Sequence, residues 1–296
     1  MTLFTTPFHA RSTAAEVLDG VDLTGRRMIV TGGASGIGAA AVQALRAAGA
    51  EVTVATRHPA GDEKRLDLAD LASVRKFVAD WSGPLHAVVA NAGIMAVPTR
   101  QTTANGWELH LATNFLGHFA LITGLRESLR ATPDARVVTV SSGAQQGSPV
   151  HFDDPHFERR PYDRWAAYAQ SKTADVLLAI GVSRKYGITA NSLEPGMVHT
   201  GLQKHLAVDD MRAFDAMDAD GNLLHPDTFR TADQGASTLV LLAASPLLDG
   251  VTGRFFGEDN QEAPVARDGQ RGVAPWSIDP AAADRLWDLA ERAVSR

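Results

Sequence analysis

The feature that most constrains this chain is a buried apolar run that stops at a cluster of glycines and is followed by an alanine-rich helix. Residues 27–31 read Arg-Met-Ile-Val-Thr, and residues 32–38 supply four glycines. Apolar residues then recur at helical spacing up to Gly49, where a glycine is typical of a helix C-terminus. A strand, a tight turn and a helix in this order are typical of the first unit of a parallel sheet covered by helices.

Strand and helix patterns alternate along the rest of the chain. Apolar runs predict further strands over residues 51–55, 64–66, 86–90, 137–140, 188–193 and 253–256. Helical spacing and capping signals predict helices over residues 13–20, 37–48, 70–81, 107–129, 164–186 and 232–244, and a last helix from residue 280. This alternation predicts an α/β fold, a doubly wound parallel sheet with helices on both faces.

No linker, repeat or low-complexity tract divides the 296 residues, so we predict a single domain. Its core covers about residues 25–256, with a helical N-terminal extension over 1–24 and a C-terminal extension over 257–296. The segments 197–229 and 258–277 are the least regular and are interpreted as lids. The first segment carries apolar side chains that either line a hydrophobic substrate pocket or simply pack internally, namely Leu202, Leu206, Met211, Phe214 and Met217.

Composition excludes several functional classes. The 28 Lys and Arg are outnumbered by 34 Asp and Glu, so a formal charge of −6 offers no overall attraction for nucleic acid. The chain has no cysteine, which excludes thiol catalysis, disulfides and Cys-based metal sites, and no metal site is predicted. No apolar run is long enough to span a bilayer, and the first 12 residues lack the apolar core of a signal peptide. We therefore expect a soluble cytoplasmic protein without nucleic-acid or membrane partners.

The glycine turn is a candidate site for a dinucleotide, although its spacing is Gly-x-x-x-Gly-x-Gly and a turn of this kind also occurs in ordinary tight loops. Gly32 allows the sharp turn after the strand. The next residues open the helix, where backbone amides can approach a pyrophosphate, and the candidates are Ser35, Gly36, Ile37 and Gly38.

The end of the second predicted strand bears on the choice of dinucleotide. NAD sites usually carry an acidic residue there, whereas this chain has Arg57. A guanidinium at that position suits a 2′-phosphate, so NADP(H) is favoured and NAD(H) is the alternative. Asp67 follows the third strand and is a candidate acceptor for the adenine amino group, with Leu68 beside it. Both Arg57 and Asp67 have a simpler interpretation as solvated loop residues.

A candidate reacting group lies on the helix predicted over residues 164–186. Tyr168 and Lys172 are four residues apart and therefore share one face of that helix. An ammonium group near a phenol favours the phenolate, so Tyr168 could exchange a proton with an alcohol or carbonyl oxygen while a cofactor exchanges hydride. Ser142 follows the fifth strand at the sheet edge where doubly wound folds bind ligands, and its hydroxyl could hold the same oxygen. A Tyr-x-x-x-Lys pair alone is often only a surface pair.

The candidate residues follow one another in a fixed order on the predicted strands and helices: the glycine turn, residues 91–93, Asn114, Ser142, the Tyr168/Lys172 pair and residues 195–196. This order resembles the short-chain dehydrogenase/reductase family, over about residues 25–200 and extending to residue 256. The resemblance implies a Rossmann-type fold with a variable C-terminal lid. It also implies a catalytic tetrad made of Asn114, Ser142, Tyr168 and Lys172.

The resemblance assigns further roles. Asn114 would support a water that relays protons to Lys172, and Lys172 would also bind the nicotinamide ribose. Asn91 would steady the sheet beside the cofactor. The remaining cofactor contacts implied by the family are Ala92, Gly93, Pro195, Gly196, Val198 and Thr200, the last two resembling the segment that holds the carboxamide.

Within the family the chain is similar to the retinol dehydrogenase and WW-domain oxidoreductase branch. The motifs that carry this similarity are residues 22–26, 91–95 and 114–119, together with an interval of 26 residues between Ser142 and Tyr168. That branch commonly prefers NADP(H), in agreement with Arg57. The chain departs from the family between its second strand and Asp67, where the usual crossover helix is missing or reduced.

The sequence thus predicts an NADP(H)-dependent oxidoreductase that interconverts a carbonyl and an alcohol on a hydrophobic small molecule, with Tyr168 as acid and base. Two alternatives stay open: a non-catalytic dinucleotide-binding sensor, and a sugar-nucleotide epimerase or dehydratase that uses the same Tyr/Lys pair. The resemblance also implies a homodimer or homotetramer formed by helices 107–129 and 164–186, a pairing that the loop before Tyr168 could block.

Overall fold

The chain is described by a computed structural model at residues 2–198, 200–202, 218, 224, 228–267 and 270–295. Its strands are β1 (Arg27–Thr31), β2 (Glu51–Thr56), β3 (Lys64–Arg65), β4 (Ala87–Ala90), β5 (Arg136–Val140), β6 (Thr189–Leu193) and β7 (Phe255–Phe256). In the part of the chain that the structure describes, these strands form one seven-stranded sheet in the order β3-β2-β1-β4-β5-β6-β7. Every pairing between neighbouring strands is parallel, which confirms the predicted doubly wound sheet.

Helices cover both faces of this sheet. They are α1 (Ala14–Val17), α2 (Gly36–Ala47), α3 (Leu71–Ala79), α4 (Gly117–Gly124), α5 (Arg126–Arg130), α6 (Arg164–Tyr186), α7 (Ala232–Ala244) and α8 (Pro280–Val294), with a π-helical segment at Leu111–Leu116. Short 3₁₀ turns lie at Gly143–Gly147, Pro246–Leu248 and Pro275–Ser277. In the described part of the chain, no helix is both long and apolar enough to cross a membrane.

The core has two apolar layers, one on each face of the sheet. Alternate residues of β1 divide between them, because Ile29 packs on one side while Met28 and Val30 pack on the other. Helices α3, α4, α6 and α8 cover the face of Ile29, and α1, α2 and α7 cover the opposite face. Strands β1, β4 and β5 are buried on both sides, as their continuous apolar runs predict, whereas β3 at the sheet edge is exposed.

Local capping signals set the helix boundaries. Thr13 and Thr231 form capping boxes at α1 and α7, and the Asp163 carboxylate accepts from the first-turn amides of α6. Gly187 ends α6 in the left-handed conformation, with φ of 65°. The predicted bounds of α6 and α7 are confirmed, since both helices begin and end where these signals place them.

The helix predicted over residues 107–129 is confirmed as a helical path over residues 109–130, but this path is not a regular α-helix throughout. The helical path starts only after Glu108, whose two carboxylate oxygens accept from the backbone amides of His110 and Leu111. It then widens into the π-helical segment that contains Asn114, and a turn residue, Leu125, separates α4 from α5. The side chain of Asn114 bonds outside the helix, an interaction that periodicity along the sequence does not reveal.

The predicted loss of the crossover helix between β2 and β3 is confirmed. Residues 57–63, all of them described, connect the two parallel strands without a helix. The lid predicted over residues 197–229 lies mostly outside the described residues, including Leu206, Met211, Phe214 and Met217. The segment 258–277 is irregular, as predicted, but the amide of Gln145 fixes its end by bonding to Gly272 O, Ala274 N and Ser277 Oγ.

Candidate active site

The candidate residues meet at the carboxyl edge of the sheet. The strand order reverses between β1 and β4, and in open parallel sheets ligands bind at such a switch point. The glycine turn leaves β1 there, residues 91–93 leave β4, and Ser142 follows β5. The residues that follow β6 begin with Pro195, and α6 passes beneath these strand ends with Tyr168 and Lys172.

Close packing requires glycine in the turn after β1. Gly32 adopts a positive φ of 67°. A methyl group at Gly38 would lie 2.4 Å from the carbonyl oxygen of Gly32 and 2.6 Å from Nδ2 of Asn91. Because both atoms belong to the framework of the turn, neither can move away at low cost, and Gly38 lets α2 approach the end of β1.

The N-terminus of α2 presents backbone donors. Ser35 is its N-cap residue, but the Ser35 side chain makes no capping hydrogen bond, so the first-turn amides of Gly36 and Ile37 keep their donor capacity. Thr200 lies close to this turn, since its Cγ2 would be 3.3 Å from a methyl group at Gly36. This arrangement suits an anionic group such as a pyrophosphate.

The hydroxyl of Thr31 joins the ends of β1 and β4. Its oxygen accepts from the backbone amides of Asn91 at 2.9 Å and Ala92 at 3.0 Å. The ring of His118 lies 2.9 Å from the same hydroxyl through Nε2, and its Nδ1 donates to the carbonyl oxygen of Asn114 at 2.7 Å. Burial lowers the pKa of His118 to about 4, so the ring is neutral near pH 7. Among the described residues, no cluster of three or more His, Asp or Glu side chains could hold a metal ion.

The adenosine-side candidates lie near the edge of the sheet. Arg57 is exposed directly after β2, and its Nε donates to Nε2 of His58 at 3.0 Å. The Oδ1 atom of Asp67 accepts from the amide of Ala69 at 3.0 Å within a local turn. Leu68 is buried, and its backbone packs against Gly117 at the start of α4.

Asn114 is fixed by contacts to two other segments. Its Oδ1 accepts from Ile94 N at 2.9 Å and its Nδ2 donates to Ile94 O at 3.0 Å, which imitates a backbone pairing. The same Nδ2 also donates to Oγ of Ser171 on α6 at 2.8 Å. Oδ1 of Asn114 would lie 3.2 Å from a methyl group at Gly93, and Nζ of Lys172 would lie 3.7 Å from it. The structure therefore brings Gly93, Asn114 and Lys172 together.

Tyr168 is almost fully buried on α6. Its ring packs edge-on against His110 at 6.2 Å, and Nζ of Lys172 lies 5.8 Å from its centroid. His110 is held in turn, because its Nδ1 lies 2.7 Å from the buried carboxylate of Glu108 and its Nε2 accepts from Val97 N at 3.2 Å. These contacts restrict the tilt of the phenol ring.

The ammonium group of Lys172 is buried and donates two hydrogen bonds. Its Nζ donates to Val140 O at the end of β5 at 2.8 Å and to Oδ2 of Asp175 at 2.9 Å. Burial acts to lower the pKa of Lys172, but attraction to Asp175 and to Tyr168 outweighs it and raises that pKa. Burial raises the pKa of Asp175 to about 7 against the opposing effect of Lys172.

Ser142 is half-buried and starts the 3₁₀ turn after β5. Its hydroxyl oxygen accepts from Ala144 N at 3.2 Å. Among the described residues, no hydrogen bond joins Ser142 to Tyr168. The carboxylate of Glu194, the residue before Pro195, lies near this turn, and its Oε2 would be 2.7 Å from a methyl group at Gly143. Burial, and then repulsion from Glu258, raise the pKa of Glu194 to about 7.

The segment after β6 is anchored by Arg230. Its Nη1 donates to Pro195 O at 2.8 Å, and its amide donates to Met197 O at 2.8 Å. Gly196 has a φ of 76° and packs against Arg230, and the buried Val198 packs near α2, against Gly235. These contacts hold Pro195, Gly196 and Val198 beside the N-terminus of α2.

Sequence reasoning missed Asp175, Glu194 and Arg230. Asp175 lies three residues after Lys172, a spacing at which side chains meet on one helix face, so a signal for it was present. Glu194 directly precedes the Pro-Gly pair, but its burial depends on the loop after β5. Arg230 is 35 residues from Pro195, and nothing local in the sequence links them.

The chain is similar to known proteins along most of its length. A family model described as short chain dehydrogenase matches residues 26–210. A probable oxidoreductase of Streptomyces lividans is 56% identical over 93% of this chain and 99% of its own length. Polyprenol dehydrogenase of Mus musculus is 37% identical, covering 86% and 82% of the two chains. Retinol dehydrogenase 14 of Homo sapiens is 30% identical, covering 90% and 85%.

Solved structures share the fold. A crystal structure of an uncharacterized protein from Mycobacterium paratuberculosis matches with a TM-score of 0.72 and 29% identity, covering 98% of each chain. An NAD(P)-dependent gluconate 5-dehydrogenase from Beutenbergia cavernae, solved with bound NADP, matches with a TM-score of 0.60 and 25% identity, covering 81% of this chain and 97% of the other.

Proposed function

The chain belongs to the short-chain dehydrogenase/reductase family, and from that premise we propose that it interconverts a carbonyl and an alcohol on a hydrophobic small molecule with NADP(H). It is an oxidoreductase acting on CH–OH and C=O groups, and enzymes of this family use nicotinamide cofactors. The specific choices of NADP(H), of the reacting residues and of the substrate class are the proposal.

The residues around the glycine turn fit a dinucleotide. The close approach of Gly38 to Gly32 leaves no room for a side chain, and the first-turn amides of α2 have no capping side chain. We assign the pyrophosphate to these amides, the 2′-phosphate to Arg57, and the adenine contact to Asp67 and Leu68. Residues 91–93, together with Pro195, Gly196, Val198 and Thr200, would flank the nicotinamide half. When bound, the cofactor supplies or accepts a hydride.

The observation that carries the proposal is the convergence of Tyr168, Lys172 and Asn114 under the ends of β4 and β5. In the oxidative direction, the Tyr168 phenolate accepts the proton of the substrate hydroxyl; in the reductive direction, the phenol donates its proton to the carbonyl oxygen. The positive charge of Lys172 near the ring stabilises the phenolate form.

Other residues would hold the substrate oxygen and return a proton to Tyr168 after it has been donated. Ser142 is half-buried at the end of β5, where its hydroxyl can donate to the substrate oxygen. The backbone carbonyl of Asn114 already accepts from His118, and a carbonyl oxygen has a second lone pair with which it could hold a relay water. Lys172 would pass protons between that water and Tyr168.

Two relatives support an apolar substrate. They are polyprenol dehydrogenase and retinol dehydrogenase 14, and polyprenols and retinol are long hydrophobic alcohols. In this chain Met197 exposes 45% of its surface directly after the Pro195-Gly196 pair. We therefore propose an alcohol, aldehyde or ketone whose carbon skeleton is mainly apolar.

Replacing Tyr168 by Phe tests this function. The variant Tyr168→Phe should lose roughly 10²-fold to 10⁴-fold in kcat with a panel of hydrophobic aldehydes and ketones, because only the proton donor is removed. NADPH binding, followed by fluorescence, should persist. The matched control is Tyr186→Phe, which removes a phenol hydroxyl at the other end of α6. Unchanged turnover in Tyr168→Phe would remove Tyr168 from its assigned role.

A further inference from the structure

We propose that Asp175 is a positioning residue for the reaction: it is the buried counterion that keeps Lys172 charged and determines which of its N–H donors remain available. The proposal rests on the function assigned to Lys172 above, but its physical content concerns the cofactor-free protein. Within the part of the chain that the structure describes, the hydrogen bond of the Asp175 carboxylate goes to Lys172.

The geometry of the pair is that of an internal ion pair. Oδ2 of Asp175 lies 2.9 Å from Nζ of Lys172, and the two side chains are only 4% and 6% exposed. Asp175 and Lys172 are three residues apart on α6, so both side chains project from one face of the helix. A charge buried to this degree is stable only with a partner of opposite charge or with several hydrogen bonds.

Few other charges reach the ammonium. The described groups that act on Lys172 electrostatically are Asp175 and the Tyr168 phenol on α6, and His118 from α4. His118 is neutral near pH 7, because burial holds its pKa at about 4. The group of β5 that the ammonium contacts is the backbone carbonyl of Val140, which is uncharged. Asp175 is therefore the counterion on which the charge of Lys172 depends.

The ion pair also determines which N–H donors of Lys172 are already used in hydrogen bonds. An ammonium has three N–H donors, and two of them are used by Val140 O and by Asp175. The remaining side of Nζ faces Gly93, where a methyl group would lie 3.7 Å away. Asp175 thus leaves one donor directed toward the strand ends, where the ribose or the relay water would be bound.

The surrounding backbone prevents the pair from moving freely. Oγ of Ser141 donates to the carbonyl oxygen of Lys172 at 2.7 Å, and Oγ1 of Thr139 donates to the carbonyl oxygen of Asp175 at 2.8 Å. Both hydroxyls belong to β5 or its end, so α6 is tied to the sheet at both members of the pair. The fold thus fixes the backbone positions from which the carboxylate and the ammonium extend.

The variant Asp175→Asn removes the charge and keeps the shape. Burial then lowers the pKa of Lys172 with only Tyr168 acting against it, so we expect the ammonium to titrate about one pH unit lower or more. The chain has five lysines, which makes titration by NMR of ¹³Cε-labelled lysine tractable in the cofactor-free protein. The signal of Lys172 is the one that disappears in Lys172→Met. The basic limb of the kcat profile should move to lower pH with it.

A matched control separates this effect from a loss of packing. Thr173 follows Lys172 on the same helix, and its fully buried hydroxyl donates to Gln145 O and Ser148 O and lies 3.3 Å from Ser277 Oγ; these bonds involve neither the ammonium nor the carboxylate of the pair. The variant Thr173→Val should reduce stability while leaving the titration of Lys172 unchanged. An unchanged lysine titration in Asp175→Asn would overturn the proposal, whatever the outcome for Tyr168→Phe.

A reciprocal measurement is available if Asp175→Asn does not fold. Coupling between two titrating groups acts in both directions, so Lys172→Met should raise the pKa of Asp175 by a comparable amount. Carboxyl ¹³C NMR of the aspartates in wild type and Lys172→Met measures this shift without any activity. If the pKa of Asp175 stays the same when the lysine is removed, the two groups are not coupled and the proposal is wrong.

Discussion

The side-chain amide of Asn91 donates from Nδ2 to the backbone carbonyl of Thr31 at 2.9 Å, and so joins the end of β4 to the end of β1 at the switch point of the sheet. The same Nδ2 lies 3.5 Å from the carbonyl oxygen of Gly32. One amide thus fixes the position at which the glycine turn leaves the sheet. The space that remains beside this amide is filled by the backbone of α2 at Gly38.

We expect Gly38→Ala to disrupt this junction. The added methyl group would lie 2.4 Å from Gly32 O, so α2 must move or the turn must open, at a cost of about 1–3 kcal/mol. Urea unfolding should report this loss, and NADPH affinity should fall at least tenfold. The control is Gly147→Ala, whose methyl group meets Ala169 at an ordinary 3.4 Å. Equal stability and affinity in the two variants would contradict the argument.

We expect Arg57→Asp to shift the cofactor preference toward NAD(H). A carboxylate repels the 2′-phosphate and can accept from the ribose hydroxyls, so the ratio of kcat/KM for NADPH over NADH should fall by about tenfold or more. Arg292→Asp makes the same charge change on the exposed side of α8, across the sheet from α2, and should leave the ratio unchanged. If the ratio is the same in wild type and Arg57→Asp, another residue receives the 2′-phosphate.

Because of His118, the free energy of unfolding should decrease as the pH falls below about 6.5. Its pKa in the folded chain is about 4, below the ordinary value of 6.5, so the unfolded chain binds the extra proton first as the pH falls. The stabilisation is complete above pH 6.5 and is lost toward pH 4, and it corresponds to about 3 kcal/mol. Unfolding free energies at both pH values should show a smaller drop in His118→Gln than in wild type or in His58→Gln, whose ring is exposed. Equal drops in all three proteins would exclude His118 as the cause.

We expect the protein not to pair through α4 and α6. Helix α8 covers this surface, since Trp287 packs edge-on against Phe119 at 4.9 Å and Tyr186 at 5.2 Å and leaves no room for a side chain at Gly181. Light scattering after size-exclusion chromatography compares the particle mass with the 31.5 kDa of one chain. If a dimer forms, hydrogen exchange in α4 and α6 should be the same at low and high protein concentration, and protection of these helices that grows with concentration would contradict the expectation.

Much of the fold could be read from local patterns. The end of α6 at Gly187 and the start of α7 at Thr231 depend on a left-handed glycine and on a capping side chain within three residues. The strands follow from short apolar runs closed by turns, and their order along the chain predicts the doubly wound sheet. The reacting residues could be proposed because each candidate follows a recognisable strand or lies one helical turn from its partner.

Other features depend on residues that are far apart in the sequence. The side-chain amide of Asn114 pairs with Ile94 from within the π-helical segment, and the carboxylate of Glu194 packs against the loop that carries Gly143. Sequence alone determined the sheet, the order of the candidate residues and the shared helix face of Tyr168 and Lys172, because backbone periodicity and capping are local interactions. Only the tertiary structure decided how the donors of Lys172 are divided between Val140 and Asp175, because that division depends on which acceptors the packed sheet and helix place around a buried ammonium.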